Sequence, residues 1–123
     1  VHLHRGFFTQ SQIAEFHKEH GIYIGTSRMD TQGVSRDEAM SSGLVPVVNA
    51  VAAIPEFVNE DCGILAPAED AQAVADGILK LVRNPDLFVQ MSENAARHVR
   101  NKTAKEYTIS KEIALIESRR NEK

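Results

Sequence analysis

Two carboxylates and a glycine turn stand close together in the first third of the chain. Asp30 precedes Glu38 by eight residues, and Gly33 lies in the turn between them. Glu38 opens the segment EAMSSG, which is typical of a short helix. A helix start offers unpaired N–H groups to phosphate, and carboxylates accept hydrogen bonds from sugar hydroxyls. This combination predicts a site for a ligand that is both anionic and rich in hydroxyl groups.

Backbone donors at the predicted helix start strengthen this interpretation. The N–H groups of four successive residues suit a diphosphate or the hydroxyls of a sugar: Gln32, Gly33, Val34 and Ser35. Gly33 also allows a positive φ or a close approach of the backbone to the ligand. Arg28 and Arg36 are within reach of the same ligand, although arginines at such positions are most often exposed to solvent.

The elements around these residues predict where the site lies. Short apolar segments alternate with helical ones, which favours an α/β fold with a parallel sheet and flanking helices. Strands are predicted at residues 1–4, 22–24, 45–48 and 63–66. Helices are predicted after the capping box of Thr9 and Gln12, at residues 34–42, near Pro55, after Asp70, from Pro85, and over about 108–120 with Ile109, Ile113 and Ile116 inward. Because ligands bind outside the carboxyl ends of parallel strands, the turns after the first three strands are expected to meet at one cleft.

Composition argues against several other classes of protein. The 123 residues, 42% of them hydrophobic and 25% charged, suit one modest globular domain. Cys62 is the one cysteine, so an internal disulfide is excluded, and no Cys or His cluster has the spacing of a zinc site. No apolar run approaches the roughly 20 residues of a membrane span, and no signal peptide is visible. We therefore expect a cytoplasmic protein without a bound metal.

Charge is distributed unevenly along the chain. The net charge is −3, yet residues 97–123 carry eight basic and four acidic side chains, a net charge of +4. A basic segment can contact an anionic membrane or nucleic acid. The pattern favours the solvated face of a helix, so we expect no nucleic-acid partner. A peripheral contact with a membrane stays open as an alternative.

The stretch SRMDTQGVSRDEAMSSGLVPVVNAVAAIPEFV resembles a known family. It is similar to the E-x7-E region of the retaining, nucleotide-sugar-dependent glycosyltransferases of family 4, whose GT-B fold has two Rossmann-like domains. The matches are Ser27, Gly33, the EAM at 38–40, Gly43, the PVV at 46–48 and the IPE at 54–56. Asp30 stands at the first acid of the pattern and Glu38 at the second. The resemblance implies that residues 1–123 form a single partial domain, the distal part of the Rossmann-like, donor-binding C-terminal domain.

Roles for the two acids follow from this resemblance. In that family the second acid binds the ribose hydroxyls of the nucleotide, so Glu38 is the expected ribose ligand. The first acid lies beside the donor sugar, so Asp30 is the expected catalytic residue, which orients a hydroxyl and stabilises positive charge at the anomeric carbon. Two simpler interpretations compete: Glu38 as an acid favoured by the helix dipole, and Asp30 as a turn residue.

The resemblance also implies an activity. The intact enzyme is expected to move a sugar from a nucleoside diphosphate sugar to a hydroxyl of a glycan or lipid-linked acceptor, with retention and without a cofactor or metal. The acceptor would bind through an N-terminal domain that this chain lacks, so the chain alone is expected to be inactive. Two non-enzymatic alternatives stay open: a flavodoxin-like binding module, and an interaction domain descended from such an enzyme. His4 occupies the position at which a phospho-acceptor acid would favour the first of these.

Overall fold

A parallel sheet with strand order β1-β2-β3 organises the chain. The computed structural model describes residues 1–121. The strands are β1 (Ile22–Gly25), β2 (Val45–Asn49) and β3 (Ile64–Ala66), and the helices are α1 (Gln10–Lys18), α2 (Val34–Ser41), α3 (Ile54–Phe57), α4 (Ala71–Arg83), α5 (Pro85–Thr103) and α6 (Lys105–Asn121). Both strand pairs are parallel, with Ile24 opposite Val47 and Val47 opposite Ile64. The α/β fold class predicted from the sequence is confirmed.

Strand β2 forms the centre of the structure. All five of its residues are buried, as expected for a strand that is covered on both faces. Side chains alternate between two cores on opposite faces of the sheet. Val48 belongs to the core shared with α2, α3 and α5, whereas Val45 and Val47 belong to the core shared with α4 and α5. Because α2 follows β1 in the chain and packs on one face of this sheet, the start of α2 lies at the carboxyl edge.

The strand predicted at residues 1–4 is not formed. Those residues have no regular structure, and Val1 and Leu3 are exposed by 128% and 75%. An apolar pattern becomes a strand only where a neighbour completes the hydrogen-bond ladder, and β1 pairs with β2 alone. The segment instead contacts α1 through aromatic rings, with the His4 and Phe16 centroids 4.7 Å apart.

The predicted inward face of the last helix is also wrong. Ile109, Ile113 and Ile116 are exposed by 41%, 50% and 68%. Helical spacing identifies side chains that share a face, but it does not show whether another element covers that face. The helix itself is present and begins at Lys105, three residues before the predicted start.

The predicted helix caps are confirmed. Thr9 Oγ1 accepts from the N–H of Gln12 at 3.3 Å, and the N–H of Thr9 donates to Gln12 Oε1 at 2.9 Å, which completes a capping box. At the start of α4, Asp70 Oδ1 accepts from the N–H of Ala73 at 2.8 Å. Local side-chain chemistry therefore sets both helix starts.

Loss of the Asp70 cap is expected to weaken α4 measurably. Asp70→Ala leaves a helix N–H without its acceptor and should lower the free energy of unfolding by about 1 kcal/mol. Asp70→Asn retains an acceptor of nearly equal capping strength and should stay within a few tenths of a kcal/mol of the parent. Urea denaturation measures both values. If both variants lose the same free energy of unfolding, Asp70 does not stabilise the protein by capping α4.

Candidate functional site

The turn between β1 and α2 presents the start of a helix at the carboxyl edge of the sheet. Gly33 is the N-cap residue of α2 and has a φ of 78°, a left-handed conformation that favours glycine. A Cβ on Gly33 would lie 2.9 Å from Nη1 of Arg36, so the position is also closed to larger residues by contact. No side chain among residues 1–121 caps α2. Its first N–H groups are therefore available to a ligand.

Asp30 folds back onto its own turn. Its Oδ1 accepts from the N–H of Gln32 at 3.2 Å, the hydrogen bond of an Asx turn. The N–H of Gln32, expected from the sequence to serve a ligand, is thus engaged within the loop. The observed geometry gives Asp30 a role in shaping the turn, and its part in catalysis stays a prediction.

Glu38 lies between two cavities. It is partly buried, and its Oε1 accepts from Nε2 of Gln10 at 3.3 Å. On one side is a cavity of about 340 Å³ between α2 and the end of α5, which Gln32 and Val34 also line. On the other side is a cavity of about 250 Å³ between α1 and α2, which Gln10 lines. The structure therefore brings Glu38, Gln32 and Val34 together around one cavity.

Ser35 occupies a different environment from the other predicted ligand residues. Its side chain is exposed, and its Oγ lies 2.9 Å from the hydroxyl of Tyr23 on β1. That contact ties the first turn of α2 to the neighbouring strand. Ser35 can thus reach a ligand through its backbone N–H, while its side chain supports the helix start.

Arg100 was missed by the sequence analysis. It lines the larger cavity with Glu38, and its Nη2 donates to the backbone carbonyl of Ser41 at 2.8 Å. These residues are 59 positions apart, and only the packing of α5 on α2 brings them together. The neighbouring Val99 is one of the buried apolar residues of α5. In the sequence, this apolar stripe was the signal that could have indicated which way Arg100 faces. The cavity therefore contains a cation beside the last residue of α2.

Arg36 and Asp37 form a buried ion pair beneath the turn. Arg36, expected to be exposed, is 2% accessible, and its Nε and Nη2 donate to Oδ1 of Asp37 at 3.0 and 2.7 Å. Nη2 also donates to the carbonyl of Gln32, and the guanidinium carbon lies 5.0 Å from the ring centroid of Phe57. Arg28, by contrast, is exposed and paired with Glu69. Arg36 thus joins the turn to both α2 and α3.

Other reactive groups are poorly placed for chemistry. Burial raises the pKa of the Cys62 thiol, so the thiol is protonated at neutral pH and is a poor nucleophile. In the part of the chain that the structure describes, no three His, Cys, Asp or Glu side chains are grouped to hold a metal ion. Within residues 1–121, no helix has the length and apolar character that crossing a membrane requires.

Sequence comparison places most of the chain in one family. Residues 2–98 match the model of the family described as Glycosyl transferases group 1. The lipopolysaccharide core biosynthesis mannosyltransferase LpcC of Rhizobium leguminosarum bv. viciae is 34% identical over 80 residues, which cover 64% of this chain and 23% of that protein. The chain therefore spans about a quarter of that relative.

Solved structures share the fold. The C-terminal domain of a glycosyl transferase group 1 family protein (LpcC) from Francisella tularensis is 24% identical with a TM-score of 0.71, over 80% of this chain and 51% of that one. A variant of S. aureus TarM, in complex with Fondaparinux, alpha-GlcNAc-glycerol and UDP, is 24% identical with a TM-score of 0.73, over 84% of this chain and 21% of that one. The sheet and its flanking helices are thus those of a GT-B C-terminal domain, and with the family match over residues 2–98, the chain belongs to the group 1 glycosyl transferases.

Proposed function

We propose that the full-length protein transfers a hexose from a nucleoside diphosphate sugar to a hydroxyl acceptor, with retention of the anomeric configuration. Residues 1–123 would supply part of the C-terminal, nucleotide-sugar-binding domain. A glycan or a lipid-linked sugar would bind through a separate N-terminal domain. The finer assignment, to family 4 and its E-x7-E region, rests on the residues from Ser27 to Glu56.

The placement of Glu38 carries this proposal. A carboxylate between two cavities, in the second turn of α2, suits the two vicinal hydroxyls of a ribose, because each carboxylate oxygen can accept one of them. Gln10 holds the carboxylate through a 3.3 Å hydrogen bond, which a ribose hydroxyl can replace at low cost. The UDP in the TarM structure supports a nucleotide as the ligand class.

The diphosphate is proposed to meet the uncapped start of α2. The N–H groups of Val34 and Ser35 and the helix dipole favour negative charge at that position. Arg100 lines the same cavity beside Ser41, at the other end of α2, and adds a positive charge to that cavity. As the bond between the anomeric carbon and the diphosphate breaks, the diphosphate leaves with the bonding electrons. Fixed N–H groups and a cation stabilise that developing charge without requiring a metal.

Asp30 is proposed to act at the sugar end of the donor. Its second carboxylate oxygen can orient a sugar hydroxyl and stabilise the positive charge that develops at the anomeric carbon. The new bond forms between the anomeric carbon and the acceptor oxygen, and the hydroxyl proton of the acceptor passes to an oxygen of the departing diphosphate. The remaining expectations stay predictions: a cytoplasmic location, a peripheral membrane contact as its alternative, and inactivity of residues 1–123 on their own.

Glu38→Ala in the full-length protein tests the proposal. The variant leaves the ribose hydroxyls without their acceptor, which costs roughly 1.5–3 kcal/mol, so the affinity for a nucleoside diphosphate should fall about tenfold to a hundredfold. Calorimetric titration with UDP, GDP and ADP in turn measures the change and identifies the base. Glu60→Ala, in the exposed turn before β3, is the matched control and should bind as the parent does. If Glu38→Ala binds nucleoside diphosphate as tightly as the parent does, Glu38 is only an acidic residue of α2 and not a ribose ligand.

A further inference from the structure

A third cavity opens at the carboxyl edge of the sheet, on the side of α4. It has a volume of about 380 Å³, and its lining includes Thr26 after β1, Asn49 at the end of β2, and Glu69 after β3. Its volume lies in the range of small-molecule sites. The cavities beside Glu38 are lined instead by α1, α2 and the end of α5, so this cavity is built from different elements.

Asn49 lines this cavity and carries an unmatched acceptor. The residue is 4% exposed, and its Nδ2 donates to the carbonyl of Ser27 at 3.3 Å. Its Oδ1 is buried, and no donor in the described part of the chain reaches it. Buried amide oxygens are nearly always hydrogen-bonded, so an orphaned one on a residue that lines a cavity points to a donor that arrives with a ligand.

Charged groups at the cavity define the class of ligand. Nε of Arg28 lies 2.8 Å from Oε1 of Glu69, and both side chains are largely exposed. This pair offers donors and acceptors with no net charge, while the nearby Asp70 adds a negative charge that disfavours an anion. Val74 adds an apolar surface. Donors, acceptors and a small apolar patch together match a hydroxylated ring that presents both O–H groups and a C–H face.

The turn that carries Asp30 connects this cavity with the one beside Glu38. Thr26 and Arg28 line this third cavity, Gln32 lines the cavity of about 340 Å³ beside Glu38, and Asp30 lies between these residues in the chain. We propose that the cavity formed by Thr26, Asn49 and Glu69 binds a neutral saccharide, at a site separate from that of the nucleotide. The proposal does not depend on the transfer reaction, because binding is measured without a nucleotide.

Saturation-transfer NMR on the full-length protein tests the proposal, with methyl α-mannopyranoside and methyl α-glucopyranoside as the probes. Glu69→Gly removes the carboxylate at a residue whose φ is 62°, where glycine suits the backbone. We expect the dissociation constant of the bound probe to rise about tenfold. Ala52→Gly is the matched control, because Ala52 has a φ of 47° and lies outside this lining. It should leave binding of the probe unchanged.

Two further variants separate this site from the nucleotide site. Asn49→Leu removes the orphaned acceptor and should also abolish saturation transfer to the pyranoside probe. A cooperative melting curve of this variant shows that the protein is still folded. Glu38→Ala should bind the pyranoside normally, and Glu69→Gly should bind nucleoside diphosphate normally. The proposal is overturned if neither pyranoside receives saturation from the parent protein. In that case, a buried water is the partner of the Asn49 amide oxygen. The proposal is equally overturned if binding survives in Glu69→Gly or is lost in Glu38→Ala.

Discussion

Asp37→Ala is expected to lower the free energy of unfolding by about 3–5 kcal/mol, because it leaves a buried guanidinium without its carboxylate. Arg36 is 2% exposed, and both Nε and Nη2 donate to Oδ1 of Asp37. In the variant, the carbonyl of Gln32 and the ring of Phe57 would be the remaining partners that we identify. Neither neutralises a full positive charge. Guanidinium denaturation of the parent and the variant measures the difference.

The double variant Arg36→Met, Asp37→Leu is the control for this prediction. It replaces the charged pair with apolar side chains of similar volume, a change that is often neutral or stabilising in a protein interior. We expect it to unfold within about 1 kcal/mol of the parent. If the double variant is as unstable as Asp37→Ala, the loss comes from packing and the argument from charge fails.

Asp30→Asn in the full-length protein is expected, under the proposed function, to lower turnover about a hundredfold and to leave the affinity for nucleoside diphosphate within about threefold. Asparagine keeps the side-chain oxygen that accepts from the N–H of Gln32, so the turn is preserved. Only the negative charge is lost, and in the proposed role of Asp30 that charge is needed mainly when positive charge develops on the sugar. A free diphosphate has no sugar ring at that position, so its binding should barely change.

The measurement pairs turnover with a sugar donor against calorimetric titration of the diphosphate. Asp30→Ala serves as the second variant, since it removes both the charge and the Asx turn. Normal turnover in Asp30→Asn together with poor turnover in Asp30→Ala would assign this residue to the turn alone. No turnover in the parent, with any donor and acceptor, would favour the interaction domain that is descended from such an enzyme.

Local signals predicted much of the fold. The apolar, β-branched segments at residues 22–24 and 45–48 became β1 and β2, because such runs need burial on both faces. The capping side chains of Thr9 and Asp70 marked two helix starts, since those hydrogen bonds span only three residues. Features that depend on contacts between residues distant in the chain could not be predicted from local signals. Residues 1–4 and the isoleucine face of α6 both needed a partner element that periodicity cannot identify.

In the candidate site, too, local features were predicted and side-chain contacts were not. The sequence predicted a positive-φ turn at Gly33, and the structure has it, whereas Glu38 lies in the second turn of α2 and not at the start of the helix. The side-chain contacts of Asp30 and Arg36 were not accessible from the sequence. An Asx turn and a buried guanidinium leave no periodic signal, because each is decided by which groups meet in three dimensions. Arg100 entered the cavity only through the packing of α5 on α2.

The guanidinium of Arg36 also bears on the entropy of ligand binding. It holds the carbonyl of Gln32 from below while it packs against Phe57 of α3. The turn that presents Asp30 and the uncapped N–H groups is therefore ordered before any ligand arrives. A binding loop that is already fixed loses little conformational freedom on binding, so more of its contact energy remains as affinity. The same side chain also links the turn to α3, because it contacts the carbonyl of Gln32 on one side and the ring of Phe57 on the other.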